Sequence, residues 1–279
     1  IKIKMNINFS PLIIIFIFTG CLSSIPTLQE RKESLSALSN KDLTQVNIQT
    51  SSFALFSLQK TPNNCKNKDL KVYIEGDGLS WITRTTISAN PTPITPTALE
   101  LMNQDTSECK VYIARPCQYI NSNECSKKYW TSNRFDEKVI KSFDEALNNL
   151  KDNYKNRSFT LIGYSGGGAI VTLIASRRED INMLITVAGN VDILKWTTIH
   201  NISRLNESLN PADYTKGLEN IKQYHLIGKE DDVIPKEVFL SYLSKFENKD
   251  NITYKYYDAT HNCCWNEPYK KFLEELKLR

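Results

Sequence analysis

Ser165 stands in the stretch Gly163-Tyr-Ser-Gly-Gly-Gly168, with an aspartate pair at 231–232 and a histidine at 261 further along the chain. A serine hydroxyl is a weak nucleophile until an imidazole takes its proton. The imidazole does this best when a carboxylate fixes its tautomer and stabilises its charged form. Ser, Asp and His in this order therefore suit nucleophilic acyl transfer to water. GxSxG matches arise by chance, so the surrounding sequence must decide.

The context of Ser165 is the one a nucleophile elbow requires. Ser158-Phe-Thr-Leu-Ile162 has strand character, and residues 166–177 have the composition of a buried helix. A serine between them sits on a strained turn with its hydroxyl pushed outward, where the helix N-terminus favours developing negative charge. Gly163 and Gly167 give room where strand and helix backbones nearly touch, and Gly166 and Gly168 permit close packing on the oxyanion side. The competing reading is a phosphate cradle. A P-loop needs Lys and then Ser/Thr after its last glycine, but Ala169-Ile170 stand there, and the GxGxxG dinucleotide spacing is absent.

Gly228-Lys-Glu-Asp-Asp-Val-Ile-Pro235 follows another strand-like run, and Asp231 lies four residues before the proline. That matches the G-x-x-D-x-x-[VI]-P pattern of many hydrolases. Asp232 is then left to cap the next helix, and Asp192 is a lesser alternative acid. Of the three histidines, His225 lies inside an expected strand and suits a core position. His200 lies in a segment that could border the substrate, with the surface as its default. His261 follows the last strand and is the expected general base.

A tetrahedral oxyanion needs two backbone donors. The first is the amide of Gly166, directly after the nucleophile. The second comes from Glu75-Gly-Asp-Gly78, with the amide of Asp77 as first choice and Gly78 as second. A carboxylate beside an oxyanion would repel it, so the acids of this loop must turn away or meet a cation, with Arg84 and Arg115 as candidates. The alternative is a metal site on Glu75 and Asp77.

These groups must be positioned by alternating elements. Strands are expected at 52–58, 70–74, 110–114, 158–162, 183–188, 224–227 and 252–257. Helices are expected at 97–104, 135–154, 166–177, 238–246 and 265–277. Strands separated by helices imply parallel βαβ units, and their lack of polar alternation fits a sheet covered on both faces. The expected fold class is α/β, a mostly parallel central sheet flanked by helices. Residues 189–221 lack a strong strand and leave room for a small cap or none.

The 279 residues suit one large α/β domain, and the net charge of +4 has no long basic run. Nucleic-acid binding is therefore not expected. Lys2 and Lys4 precede the apolar run Leu12–Phe18, then Thr19-Gly20-Cys21. This pattern describes a secretory signal, too short for a membrane-spanning helix. Phe-Thr-Gly-Cys resembles a bacterial lipobox, with Cys21 as the lipidated residue, although Phe18 replaces the usual leucine. Both lysines precede Met5, so a non-standard start codon at Ile1 is expected. The expected organisation is a signal at 1–20, a polar tether or lead-in at 21–51, and the domain at 52–279.

Six cysteines remain: Cys65, Cys109, Cys117, Cys125, Cys263 and Cys264. An even number in an exported chain implies disulfides, with fifteen connectivities open. Cys65 and Cys109 each precede a strand and could meet at one end of the sheet. Cys263 and Cys264 are expected to pair with other cysteines, since a bond between neighbours strains the backbone, and to staple the loop around His261. No CxxC pair supports a metal.

Together GYSGGG, the later acid and the late histidine resemble the α/β-hydrolase superfamily over residues 52–279. YIEGDG (73–78), ARPCQY (114–119), WTSNRF (130–135), GYSGGGA (163–169), TVAGN (186–190), LNPAD (209–213) and HNCCW (261–265) are similar to those of a group of bacterial α/β-hydrolase-fold lipoproteins. The resemblance implies the fold, the triad and a place in the cell envelope, lipid-anchored on the periplasmic or extracellular side. The function expected is a serine hydrolase acting without a cofactor on a small-molecule or lipid-like acyl substrate. A peptidase or acyltransferase on the same triad, or a non-catalytic envelope-binding lipoprotein, are the alternatives.

Overall fold

The computed structural model describes residues 25–60 and 65–278. The signal and the lipidation site at Cys21 lie outside the described residues. The described residues open with helix α1 (Leu28–Leu38), whose Thr27 and Glu30 form a reciprocal capping box. Strands β1 (Leu43–Gln49) and β2 (Ala54–Lys60) form an antiparallel hairpin in register from Leu43↔Lys60 to Gln49↔Ala54. Then follow β3 (Asp69–Ile74), α2 (Thr97–Gln104), β4 (Lys110–Ile113), α3 (Glu137–Tyr154), β5 (Ser158–Tyr164), α4 (Gly166–Ala175), β6 (Ile181–Val187), α5 (Ile193–Ile199), β7 (Lys222–Gly228), α6 (Lys236–Leu243), β8 (Ile252–Tyr257) and α7 (Asn266–Lys277). They form one sheet of eight strands in the order β1-β2-β4-β3-β5-β6-β7-β8, parallel from β4 to β8.

The expected tether is corrected by this topology. Residues 43–49 pair along their whole length with β2, so the folded domain begins before residue 52. The segment is polar because it forms the sheet's outer edge, where only Ile48 of β1 is buried. In α1, Arg31 and Leu35 are the buried residues. The guanidinium of Arg31 donates to the carbonyls of Thr92 and Asn90, in the proline-rich loop between β3 and α2.

Side chains alternate across the sheet into two cores. Val72, Leu161 and Leu184 face the α3–α4 side, and Tyr73, Ile162 and Ile185 face the α2–α7 side. All ten residues of α4 are buried, as expected of a helix that is apolar all round. Among the described residues no helix is long and apolar enough to cross a membrane.

Cys65 and Cys109 join the segments before β3 and β4, Cα atoms 5.5 Å apart, as their positions suggested. Cys117 pairs with Cys125. Cys263 pairs with Cys264, against expectation. The other four cysteines are already paired at a distance, and the backbone accommodates the vicinal bridge by placing Cys264 in the left-handed region, φ 76°. The Cys65–Cys109 bridge closes the longest of these loops, with a sequence separation of 44. Replacing both residues with alanine is expected to lower the unfolding free energy by about 4 kcal/mol on chain-entropy grounds, checked by urea melts.

Candidate active site

β5 delivers Ser165 into a sharp turn, with the residue at φ 53° and ψ −120°. Three hydrogen bonds fix its backbone. Its amide donates to Val187, and its carbonyl accepts from the amides of Gly168 and Asn190, at 2.9–3.0 Å. A Cβ on Gly163 would lie 2.3 Å from the carbonyl oxygen of Gly167, so strand and helix meet here without space for a side chain. Gly168 abuts the Cα of Gly189 after β6, not the oxyanion side.

Asp231 follows β7, and His261 follows β8. His261 Nδ1 lies 2.9 Å from Asp231 Oδ2, and His261 Nε2 lies 2.9 Å from Ser165 Oγ. An ionised carboxylate only accepts, so Nδ1 carries the proton and Nε2 is left to accept from the serine hydroxyl. The other oxygen of Asp231 accepts from the amides of Val233 and Ile234. The carbonyl of Val233 in turn accepts from Trp196 Nε1 and His200 Nε2, tying α5 to the loop that holds the acid. The main-chain carbonyl of His261 accepts from Tyr164 Oη and Trp265 Nε1. All three residues of the chain Asp231–His261–Ser165 are buried.

The other candidates lie elsewhere. Asp232 does not cap α6, whose N-cap is Pro235. Asp192 caps α5 through the amide of Lys195 and accepts from Ser241. His225 is buried between Thr186 and Gln223, and burial lowers its pKa to about 3. It stays neutral, the satisfied core histidine expected from its place in a strand.

The Glu75–Gly78 loop runs beside Ser165. A Cβ on Gly166 would fall 2.2 Å from Asp77 Oδ1, so glycine at 166 is what lets this loop approach. Among the described residues neither the Asp77 nor the Gly166 amide donates a hydrogen bond within the protein. The Asp77 carboxylate is held by two arginines, Arg115 Nη1 at 2.7 Å and Arg134 Nη1 at 2.6 Å. Burial raises its pKa, but the Arg134 and Arg115 charges outweigh burial and keep it below the usual range. Arg115 is the cation expected here, Arg84 is not, and Arg134 went unnoticed. WTSNRF carries Arg134 within a matched motif, but its pairing needs a separation of 57 residues to be closed by the fold. Among the described residues no cluster of three His, Cys, Asp or Glu could hold a metal.

Glu75 directly follows β3 and is 1% exposed. It accepts from the amides of Gly76 and Ala98 and from Tyr112 Oη. Burial outweighs those donors and raises its pKa from 4.5 to about 7. The folded state therefore holds an extra proton between the two values. Stability from this group is full below about pH 4.5 and falls by about 3 kcal/mol as pH rises to about 7. Glu75→Gln is expected to remove that decline, read as the difference between wild-type and variant urea melts across this range.

A cleft of about 520 Å³ opens above these groups, bordered by Ser165, His261, Asp77, Trp81, Ile94 and Asn190. A mostly parallel sheet, a serine on the strand-to-helix turn, and later strands ending at an aspartate and a histidine make this an α/β-hydrolase fold. The model of the FSH1 serine hydrolase family matches residues 83–263. The chain belongs to that family and is a serine hydrolase. No curated protein matches it in sequence. Among solved structures it is similar to an esterase of Pyrococcus furiosus, with 16% identity and TM-score 0.59, covering 86% of this chain and 91% of that one. It is also similar to Est1E from Butyrivibrio proteoclasticus, with 14% identity, TM-score 0.57, and 84% and 99% covered. A puromycin-hydrolysing peptidase of Mycobacterium tuberculosis matches with 13% identity and TM-score 0.60, over 85% of this chain and 39% of that one. At these identities the likeness is one of fold.

Proposed function

We propose that the protein cleaves an ester-like acyl bond through an acyl-enzyme formed on Ser165. The observation that carries this reading is the continuous chain Asp231–His261–Ser165, with both links at 2.9 Å. His261 takes the hydroxyl proton as Ser165 attacks the carbonyl carbon. Asp231 holds the tautomer and stabilises the imidazolium. The amides of Gly166 and Asp77 donate to the oxyanion of the tetrahedral intermediate. His261 then gives its proton to the leaving alcohol and activates the water that releases the acid. Exposed Trp81 and Ile94 on the cleft border suit an apolar portion of the substrate.

The proposed site of action is the bacterial cell envelope, with lipidation at Cys21 as the membrane anchor. The lipobox-like Phe18–Cys21 supports this. So do three disulfides among the described residues, a chemistry that persists in oxidising compartments. A fluorophosphonate probe followed by peptide mapping tests the nucleophile, and labelling at Ser165 is expected. A chain-length series of acyl esters beside matched anilides tests the bond. Faster anilide turnover would replace the esterase reading with a peptidase one, and no labelling at Ser165 would overturn both.

A further inference from the structure

Asn190 lies just past β6 and is 2% exposed. Its amide donates to the carbonyl of Ser165 at 3.0 Å, which seats it beside the nucleophile. It borders the cleft together with Arg134 and Trp196. Yet its Oδ1 is buried without any hydrogen-bond partner, and among the described residues nothing bonds its Nδ2 either. Exchanging the two ends of the amide does not supply a partner.

The neighbouring groups are already committed. Ser165 Oγ faces His261. Trp196 Nε1 donates to Val233. Arg134 spends Nε on Thr131 and Nη1 on Asp77. A buried polar group left unpaired costs about 1–3 kcal/mol, so the fold gains nothing by keeping an amide here. A leucine of similar volume would be cheaper. A side chain that is costly to the fold, fixed next to the reacting serine and open to the cleft, is suited to a partner carried by the substrate.

We infer that Asn190 is a specificity-determining residue whose side-chain Nδ2, the end of the amide not enclosed by the fold, donates a hydrogen bond to the oxygen of a hydroxyl on the substrate, close to the scissile carbonyl. The substrate class is then a hydroxylated acyl ester, apolar along Trp81 and Ile94 and polar at one point beside Ser165. The hydroxyl can sit on the acyl chain or on the alcohol. Sites built to pair a substrate hydroxyl reject the analogue lacking it far more strongly than apolar pockets discriminate by size, because the unpaired group stays buried.

The inference rests on Ser165 as nucleophile, and the test separates the two. Two matched pairs are used: 4-nitrophenyl 3-hydroxybutyrate against 4-nitrophenyl butyrate, and glycerol monobutyrate against propyl butyrate. Wild-type enzyme is expected to favour the hydroxylated member of one pair at least tenfold in kcat/KM, and which pair it is locates the hydroxyl. In Asn190→Leu, or Asn190→Ala should leucine not fold, that ratio is expected to fall to within twofold of unity. Binding of the same esters to Ser165→Ala, measured by calorimetry, reads the preference without turnover and should show the same ordering. Wild type failing to hydrolyse while this ordering persists would remove the nucleophile and leave Asn190 in its role. Equal binding and equal turnover within both pairs, or a preference that survives in the Asn190 variants, would overturn the inference.

Discussion

Replacing Ser165 with alanine is expected to lower kcat for acyl-ester hydrolysis by about 10⁴-fold or more. The fold should be retained, because the variant keeps Cβ and all three backbone hydrogen bonds at this position. His261 stays bonded to Asp231, so removing the hydroxyl leaves the rest of the site assembled. A companion variant separates strain from chemistry. The backbone at φ 53° and ψ −120° is unfavourable for any residue with a Cβ. Ser165→Gly is therefore expected to be as inactive as the alanine variant and more stable than it by about 1 kcal/mol, since glycine relieves strain but costs chain entropy. Urea melts of the two variants measure this, and a glycine variant less stable than the alanine one by about 1 kcal/mol would mean that the turn carries no strain.

The second large effect is expected at Arg115. The Asp77 carboxylate and the guanidinium groups of Arg115 and Arg134 sum to one positive charge beside the Asp77 amide. A unit charge a few ångströms away, at an effective dielectric of about 20, is worth about 3 kcal/mol, or about 10²-fold in rate. Arg115→Met makes the cluster neutral, so kcat should fall about 10²-fold with KM nearly unchanged, as for a group acting on the transition state. Stability should drop by about 3 kcal/mol, because a buried ion network is broken on one side. Adding Asp77→Asn to Arg115→Met restores one net positive charge while leaving the backbone amide in place. The double variant should recover kcat to within about tenfold of wild type. If the arginine only braced the loop, the double variant would be no faster than the single one.

Much of the site was legible in the sequence because each group sits at the end of a strand with strong apolar character. Ile162, Ile227 and Tyr257 end the apolar runs before Ser165, Asp231 and His261, and that run-then-turn pattern is a local signal. The Asp77 loop was legible for the same reason, following Ile74. The cations on it were only half legible. Arg115 lies right after β4, whereas Arg134 arrives from a loop with no periodic marker. The edge hairpin was missed because β1 buries one residue, so its polarity matches that of a linker. The pairing of Cys263 with Cys264 was missed because it depends on a left-handed backbone at Cys264, which a cysteine does not advertise. Asn190 was visible only as part of a matched motif, since being unpartnered is a property of the packed molecule.

The contact of Arg31 with the loop at 90–92 has a mechanical consequence. The same loop meets Gly78 through Pro91, and its next residues, Pro93 to Thr95, form one wall of the cleft. α1 is thus a strut between the first described residues and that wall. Pull or crowding at residue 25 passes through one buried guanidinium to the wall of the cleft. A chain begun at residue 52 would lose the strut together with the outermost strand. Fusions joined directly to residue 25 would bear on substrate affinity before they bear on folding.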